Sequence, residues 1–135
     1  MIAPKNPDDP KPFEVHIDSE VSEFFKPGGR LAQGWEREQG DFEERPQQAQ
    51  MASAIATAIE DGKHLAVEAG TGVGKSFAYL VPAILAALES KTQVVVSTHT
   101  ISLQEQLIKK DIPFLQRHLG RDFKAALAKG RGNYL

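Results

Sequence analysis

The chain of 135 residues contains no cysteine. That excludes a disulfide within it and any thiolate-ligated metal site. A cysteine-free composition fits a reducing compartment, and the expectation is a cytoplasmic protein. Long apolar runs are also lacking. The longest, Phe77 to Leu88, contains Pro82 and falls well short of the ~20 residues a transmembrane helix needs. The leading segment MIAPKNPDDPKPF has no apolar stretch of the kind a secretory signal requires. No internal repeat is present. The one biased stretch is residues 1–12, with four prolines and several charges. Its apolar surface is too small to order it, so a flexible leader is expected.

A strong net charge is missing too, since the total is −2. The distribution is uneven. Residues 1–45 carry 11 acidic and 6 basic side chains, whereas residues 109–135 carry 7 basic and 2 acidic. The basic end is either a contact surface for a polyanion or a solvated face.

Organisation sharpens along the chain. Residues 1–44 read as an N-terminal extension, with a weak apolar pattern from Val15 to Phe25 and a turn at Pro27-Gly28-Gly29. From Arg45-Pro46 onward, Met51, Ala52, Ile55, Ala58 and Ile59 recur at helical spacing up to Gly62. Residues 64–69 form a short apolar run and a strand candidate. A helix is expected over 75–88, a second strand over 93–97, a helix over 101–110 ended by Pro113, a short helix over 114–119, and a third strand over 123–128. Alternating strands and helices predict an α/β domain with a parallel sheet and flanking helices over 45–135.

Residues 68–76 read E-A-G-T-G-V-G-K-S. Between a strand and a helix, this is the context of a phosphate-binding loop. The strict pattern has glycine where Ala69 stands. That position lies at the strand end, where a methyl group fits if φ is negative. Gly70, Thr71, Gly72, Val73 and Gly74 then form the turn, and its glycines let backbone N–H groups face inward on an anion. Lys75 brings positive charge to the β- and γ-phosphates, and Ser76 offers a hydroxyl to Mg²⁺. The expected ligand is therefore a nucleoside triphosphate with its magnesium ion. A glycine-rich turn with a surface lysine is the bland alternative.

Four separated blocks narrow the reading: Arg45-Pro46-Gln47-Gln48, the loop with Phe77-Ala78-Tyr79-Leu80, the segment from Ser97-Thr98-His99-Thr100 to Gln104-Glu105-Gln106-Leu107, and Lys129-Gly130-Arg131-Gly132-Asn133-Tyr134-Leu135. In this order they resemble the beginning of a DinG-type helicase, a bacterial relative of the XPD group in superfamily 2. The resemblance covers about residues 20–135. It implies a partial RecA-like P-loop domain, incomplete at the C-terminus, behind a poorly structured N-terminal extension. It also implies an ATP-dependent DNA helicase that translocates 5′ to 3′ on single-stranded DNA.

Residue roles follow from the same resemblance. Gln48 would read the adenine edge, with Arg45 flanking the base, and Lys75 would serve catalysis. Thr98, His99 and Thr100 would touch the DNA backbone, although Thr100 or Ser102 can equally cap the next helix. The family's K-G-R-x-N-Y-L block runs into a four-cysteine iron–sulfur cluster. A [4Fe–4S] group is expected only in a complete protein, since no cysteine occurs here. No D-E-x-H box is present, so the stretch is expected to bind ATP without turnover. A complete non-enzymatic nucleotide- or DNA-binding module and a small P-loop kinase are the competing readings.

Overall fold

The computed structural model describes residues 14–72 and 74–133. The proline-rich leader, residues 1–12, lies outside the described residues. Among the described residues six α-helices follow one another: α1 Asp18–Phe25, α2 Arg30–Glu38, α3 Pro46–Glu60, α4 Lys75–Ser90, α5 Ile101–Gln106 and α6 Ile112–His118. A π-helical turn, Leu107–Asp111, joins α5 to α6, and a 3₁₀ turn covers Arg131–Asn133.

The helices share one core. Small residues let α3 and α4 pack closely: Ala52, Ala56, Ala78 and Val81 are fully buried. Val21 and Phe24 of α1, Leu31 of α2 and Leu115 of α6 join the same cluster. Residues 14–44 are therefore ordered, which corrects the expectation of a poorly structured extension. The physical reason is tertiary. The first turn of α1 has no local side-chain cap, but Glu60 of α3 accepts hydrogen bonds from Ile17 N (2.7 Å) and Asp18 N (2.8 Å). A carboxylate on a helix N-terminus is doubly favourable, through hydrogen bonding and through the dipole.

The uneven charge has a related outcome. Arg117 of α6 donates to Glu38 of α2 (2.6 Å), and Arg121 donates to Glu20 of α1 (2.7 Å). His118 also contacts Glu38. Part of the basic end thus pairs with the acidic beginning. A Cβ on Gly34 would stand 2.6 Å from the His118 ring, so glycine permits this approach of α2 to α6.

One proline behaves differently from expectation. Pro113 does not end the helical run. Ile112 N–H bonds back five residues to Leu107 O, and the widened turn accommodates the proline ring that would clash in an α-helix. Pro82 lies buried inside α4, which runs through it without a break in assignment.

The expected parallel sheet is not formed among the described residues. The three strand candidates have no assigned strand or bridge. Leu65, Val67, Val94, Val95 and Val96 are 40–89% exposed. A strand needs a neighbouring strand to satisfy its N–H and C=O groups, and these runs do not pair with one another.

Arg117's hydrogen bond, assisted by His118, holds the Glu38 carboxyl below the ordinary glutamate value of 4.5, against the opposing effect of desolvation. A depressed carboxylate stabilises the fold above that ordinary value, and the contribution is lost as pH falls through the lowered value. Glu38→Gln should therefore lower the melting temperature at pH 7, and the gap to wild type should close towards pH 3. A constant gap across a thermal-unfolding pH series would rule this linkage out.

Candidate functional site

The site begins with the turn that enters α4. Gly72 (φ 82°) and Gly74 (φ 80°) both adopt the left-handed conformation that L side chains rarely accept. Gly74 is the N-cap of α4 and supplies no side chain, so the helix starts without a side-chain cap. The first turn of an α-helix carries N–H groups with no intrahelical acceptor. Here they are left for an anion, and the helix dipole favours one.

This turn opens on a cleft of about 700 Å³. Thr71, Gly72, Gly74, Lys75 and Ser76 form one wall. Arg45 and Gln48, at the start of α3, form another, and Trp35 and Phe42 approach from the N-terminal segment. Trp35 packs edge-on against Phe42 (6.4 Å between centroids) and tilted against Phe114 (6.1 Å), which packs on Phe77 (5.2 Å). Apolar groups thus meet the cleft beside polar ones, the usual build of a small-molecule site.

Gln48 is the buried polar side chain of the cleft, at 5% exposure. Its Nε2 donates to Gly74 O at 3.0 Å. An amide nitrogen carries two protons, so one donor and the Oε1 acceptor remain for a base edge. Arg45 is partly exposed and lies 4.0 Å from Glu43.

The cleft gathers seven of the expected residues: Arg45, Gln48, Thr71, Gly72, Gly74, Lys75 and Ser76. Val73 lies outside the described residues. Ala69 and Gly70 precede the lining, and Thr98, His99 and Thr100 are not part of it. His99 and Thr100 are exposed. Thr100 Oγ1 accepts from Leu103 N (3.2 Å), so the capping role foreseen as an alternative is present. Thr98 Oγ1 is buried without a hydrogen-bond partner.

Asp111 was not anticipated. It closes the π turn and lines the cleft with Ser76 and Gln106. Burial pushes its carboxyl above the ordinary aspartate range, while hydrogen bonding from Gln106 and Ser76 works the other way. Tyr79, one turn along α4, lies beside the same Ser76 hydroxyl, and burial raises its phenol. In sequence, Lys-Lys-Asp-Ile-Pro reads as a charged helix end before a stop. The register change that turns Asp111 to the cleft has no signature except the proline itself.

The donor set fits a magnesium–triphosphate. Uncapped N–H groups and Lys75 suit phosphate oxygens, and the Ser76 hydroxyl is a hard oxygen ligand. Among the described residues no group of three or more His, Cys, Asp or Glu gathers into a metal site. No helix among them is long and apolar enough to cross a membrane.

Residues 45–130 match the family model for the DEAD/DEAH box helicases. The chain belongs to that family. It is 56% identical over 92 residues to the ATP-dependent helicase DinG of Mycobacterium tuberculosis, covering 65% of this chain and 14% of that protein. It is 44% identical over 115 residues to the ATP-dependent DNA helicase YoaA of Escherichia coli, covering 85% of this chain and 17% of that one. With the ATP-dependent DNA helicase DinG of Escherichia coli it shares 44% over 97 residues, 70% of this chain and 13% of the relative. The chain therefore spans less than a fifth of the length of these relatives. No solved structure matches it.

Gly74→Ala should test the loop geometry. The new Cβ would meet Gln48 Nε2 at 2.2 Å, and the backbone would still need a left-handed φ. Left-handed backbone costs an L residue about 1–2 kcal/mol, so chemical denaturation should show at least that loss. Adding Gln48→Ala should recover the steric share and leave the backbone share. A Gly74→Ala chain as stable as wild type would contradict the geometry.

Proposed function

We propose that this chain is the ATP-binding portion of an ATP-dependent DNA helicase motor. The observation that carries the reading is the uncapped N-terminus of α4, entered through left-handed Gly72 and Gly74 and opening on the cleft with Lys75 and Ser76. Membership of the helicase family and the names of the similar proteins support DNA as the polymer acted on.

In this reading the loop N–H groups and Lys75 hold the β- and γ-phosphates. Ser76 contributes its oxygen to Mg²⁺, whose chemistry is to neutralise charge on the phosphates. Gln48 has a double task. One amide proton stays on Gly74 O, and the remaining donor and acceptor meet adenine's N7 and N6. Arg45 and the Trp35–Phe42 wall flank the base. Thr98, His99 and Thr100 follow the second extended run and face single-stranded DNA, with 5′ to 3′ translocation by the whole motor in the cytoplasm.

The three unpaired runs, at residues 64–69, 93–97 and 123–128, are strands of a RecA-like parallel sheet in this proposal. The proposal assigns their partner strands to the rest of the motor; the chain spans less than a fifth of the relatives' length, which supports this reading. The proposal assigns the D-E-x-H box, the second motor domain and the cysteines of an iron–sulfur cluster to the rest of that motor as well. The chain contributes ATP binding without turnover.

Calorimetric titration tests this. ATP with Mg²⁺ should bind the chain, and Lys75→Ala should weaken binding by about 10–100-fold, since hydrogen bonds from a charged donor contribute roughly 1.5–3 kcal/mol. The unfolding transition should be retained. Gln48→Ala should erase any preference for ATP over GTP. Unchanged affinity in Lys75→Ala would defeat the phosphate assignment, and an unaltered base preference would confine Gln48 to supporting the loop. Robust ATP hydrolysis by residues 1–135 would refute the division of labour.

A further inference from the structure

We propose that Asp111 is a positioning residue for the magnesium–triphosphate complex: its carboxylate accepts the Ser76 hydroxyl proton and turns an oxygen lone pair of Ser76 towards the cation. This rests on the nucleotide reading above and adds a residue to it from outside the phosphate loop.

Three geometric observations converge. Asp111 ends the π turn, and the five-residue hydrogen bond from Ile112 N–H to Leu107 O sets the register that brings it to the cleft wall shared with Lys75 and Ser76. Gln106 Nε2 donates to Asp111 Oδ2 at 3.4 Å, so the carboxylate is held from its own helical run. Ser76, in the first turn of α4, lines the same cleft as Asp111, and α4 packs directly against the π turn.

The pairing of neighbouring charges supports a function rather than a structural ion pair. Lys109, on the same run, pairs with Glu105 at 3.6 Å, and the adjacent Lys110 acts on Asp111 through its charge without a direct ion pair. Asp111 forms no ion pair within 4.0 Å among the described residues. A half-buried carboxylate without a close cation is costly unless hydrogen bonds or a bound cation compensate. A magnesium ion at Ser76 is such a cation.

The chemistry follows from the hydroxyl's inventory. Serine has one proton and two lone pairs. If the proton points at the metal or a phosphate, the oxygen is misaligned as a ligand. A carboxylate behind the hydroxyl fixes the proton on the far side and makes the oxygen a better donor. Partners that orient metal ligands in this way typically change metal affinity by about 10–100-fold when removed.

The charge also gives the test a sign. Asp111 repels a bare triphosphate and favours a metal-bound one. ATP binding to the wild-type chain, to Asp111→Asn and to Ser76→Ala should be measured by calorimetry with Mg²⁺ and again in EDTA, with thermal unfolding as the control for folding. Asp111→Asn should lose about 10–100-fold of the Mg²⁺-dependent tightening, yet bind metal-free ATP no more weakly than wild type. Combined with Ser76→Ala, it should add little, because both act through one oxygen. If Asp111→Asn unfolds, Gln106→Ala should show a smaller loss of the same sign.

Full Mg²⁺-dependent tightening in Asp111→Asn would overturn the proposal. So would an equal loss with and without metal, which is the signature of a purely structural role. A wild-type chain that binds ATP in neither condition would overturn the nucleotide reading along with it.

Discussion

The hydrogen bond from Gln48 to Gly74 O joins the two halves of the cleft. Gly74 starts α4 in a left-handed conformation, and its carbonyl also accepts the first helical bond from Ala78 N (3.3 Å). The buried amide of Gln48 occupies the space where a side chain at residue 74 would begin. Glycine at 74 and glutamine at 48 therefore require one another. That bond holds the start of α3 against the phosphate loop, while the missing side chain of Gly74 leaves the N-terminus of α4 uncapped. A change at the base end of the cleft is felt at the phosphate end through this contact.

The N-terminal helices complete the same site from the other side. Glu60 reaches from α3 to cap α1, and the Arg117–Glu38 and Arg121–Glu20 pairs tie the basic end to the acidic beginning. Exposed pairs of this kind contribute little to stability. Their role is in register more than in stability. The larger share comes from burying Phe24, Ile17, Leu31 and Leu115 in one core. Only with α2 docked on α6 does Trp35 meet Phe114, and only then does the cleft have an aromatic wall.

Local chemistry was legible where it is local. The start of α3 at Arg45-Pro46, its end at Gly62, and the glycine turn before α4 all have short-range causes: proline at the first helical position and left-handed φ at the glycines. What escaped the sequence depends on distance. The α1 cap lies 43 residues away, so residues 14–44 read as loose when they are ordered. Pro113 reads as a stop, and a π turn absorbs it instead. Asp111 follows from that turn and could not be placed in the cleft without it. The strands were legible as apolar runs, but a sheet is a property of partners, and residues 64–69 and 93–97 are not each other's.

The cleft does not depend on those extended runs. The cleft stands on helices α2 to α6 and on an aromatic chain from Phe42 through Trp35 and Phe114 to Phe77, none of it routed through strand pairing. The extended runs leave Val95 89% exposed, and apolar β-rich surface of this kind calls for a partner strand. The Thr98–Thr100 segment follows directly on that run. Between it and the cleft lie α5 and the π turn that carries Asp111. A π turn is rare inside helices and frequent at functional sites, which suits its place on the cleft wall.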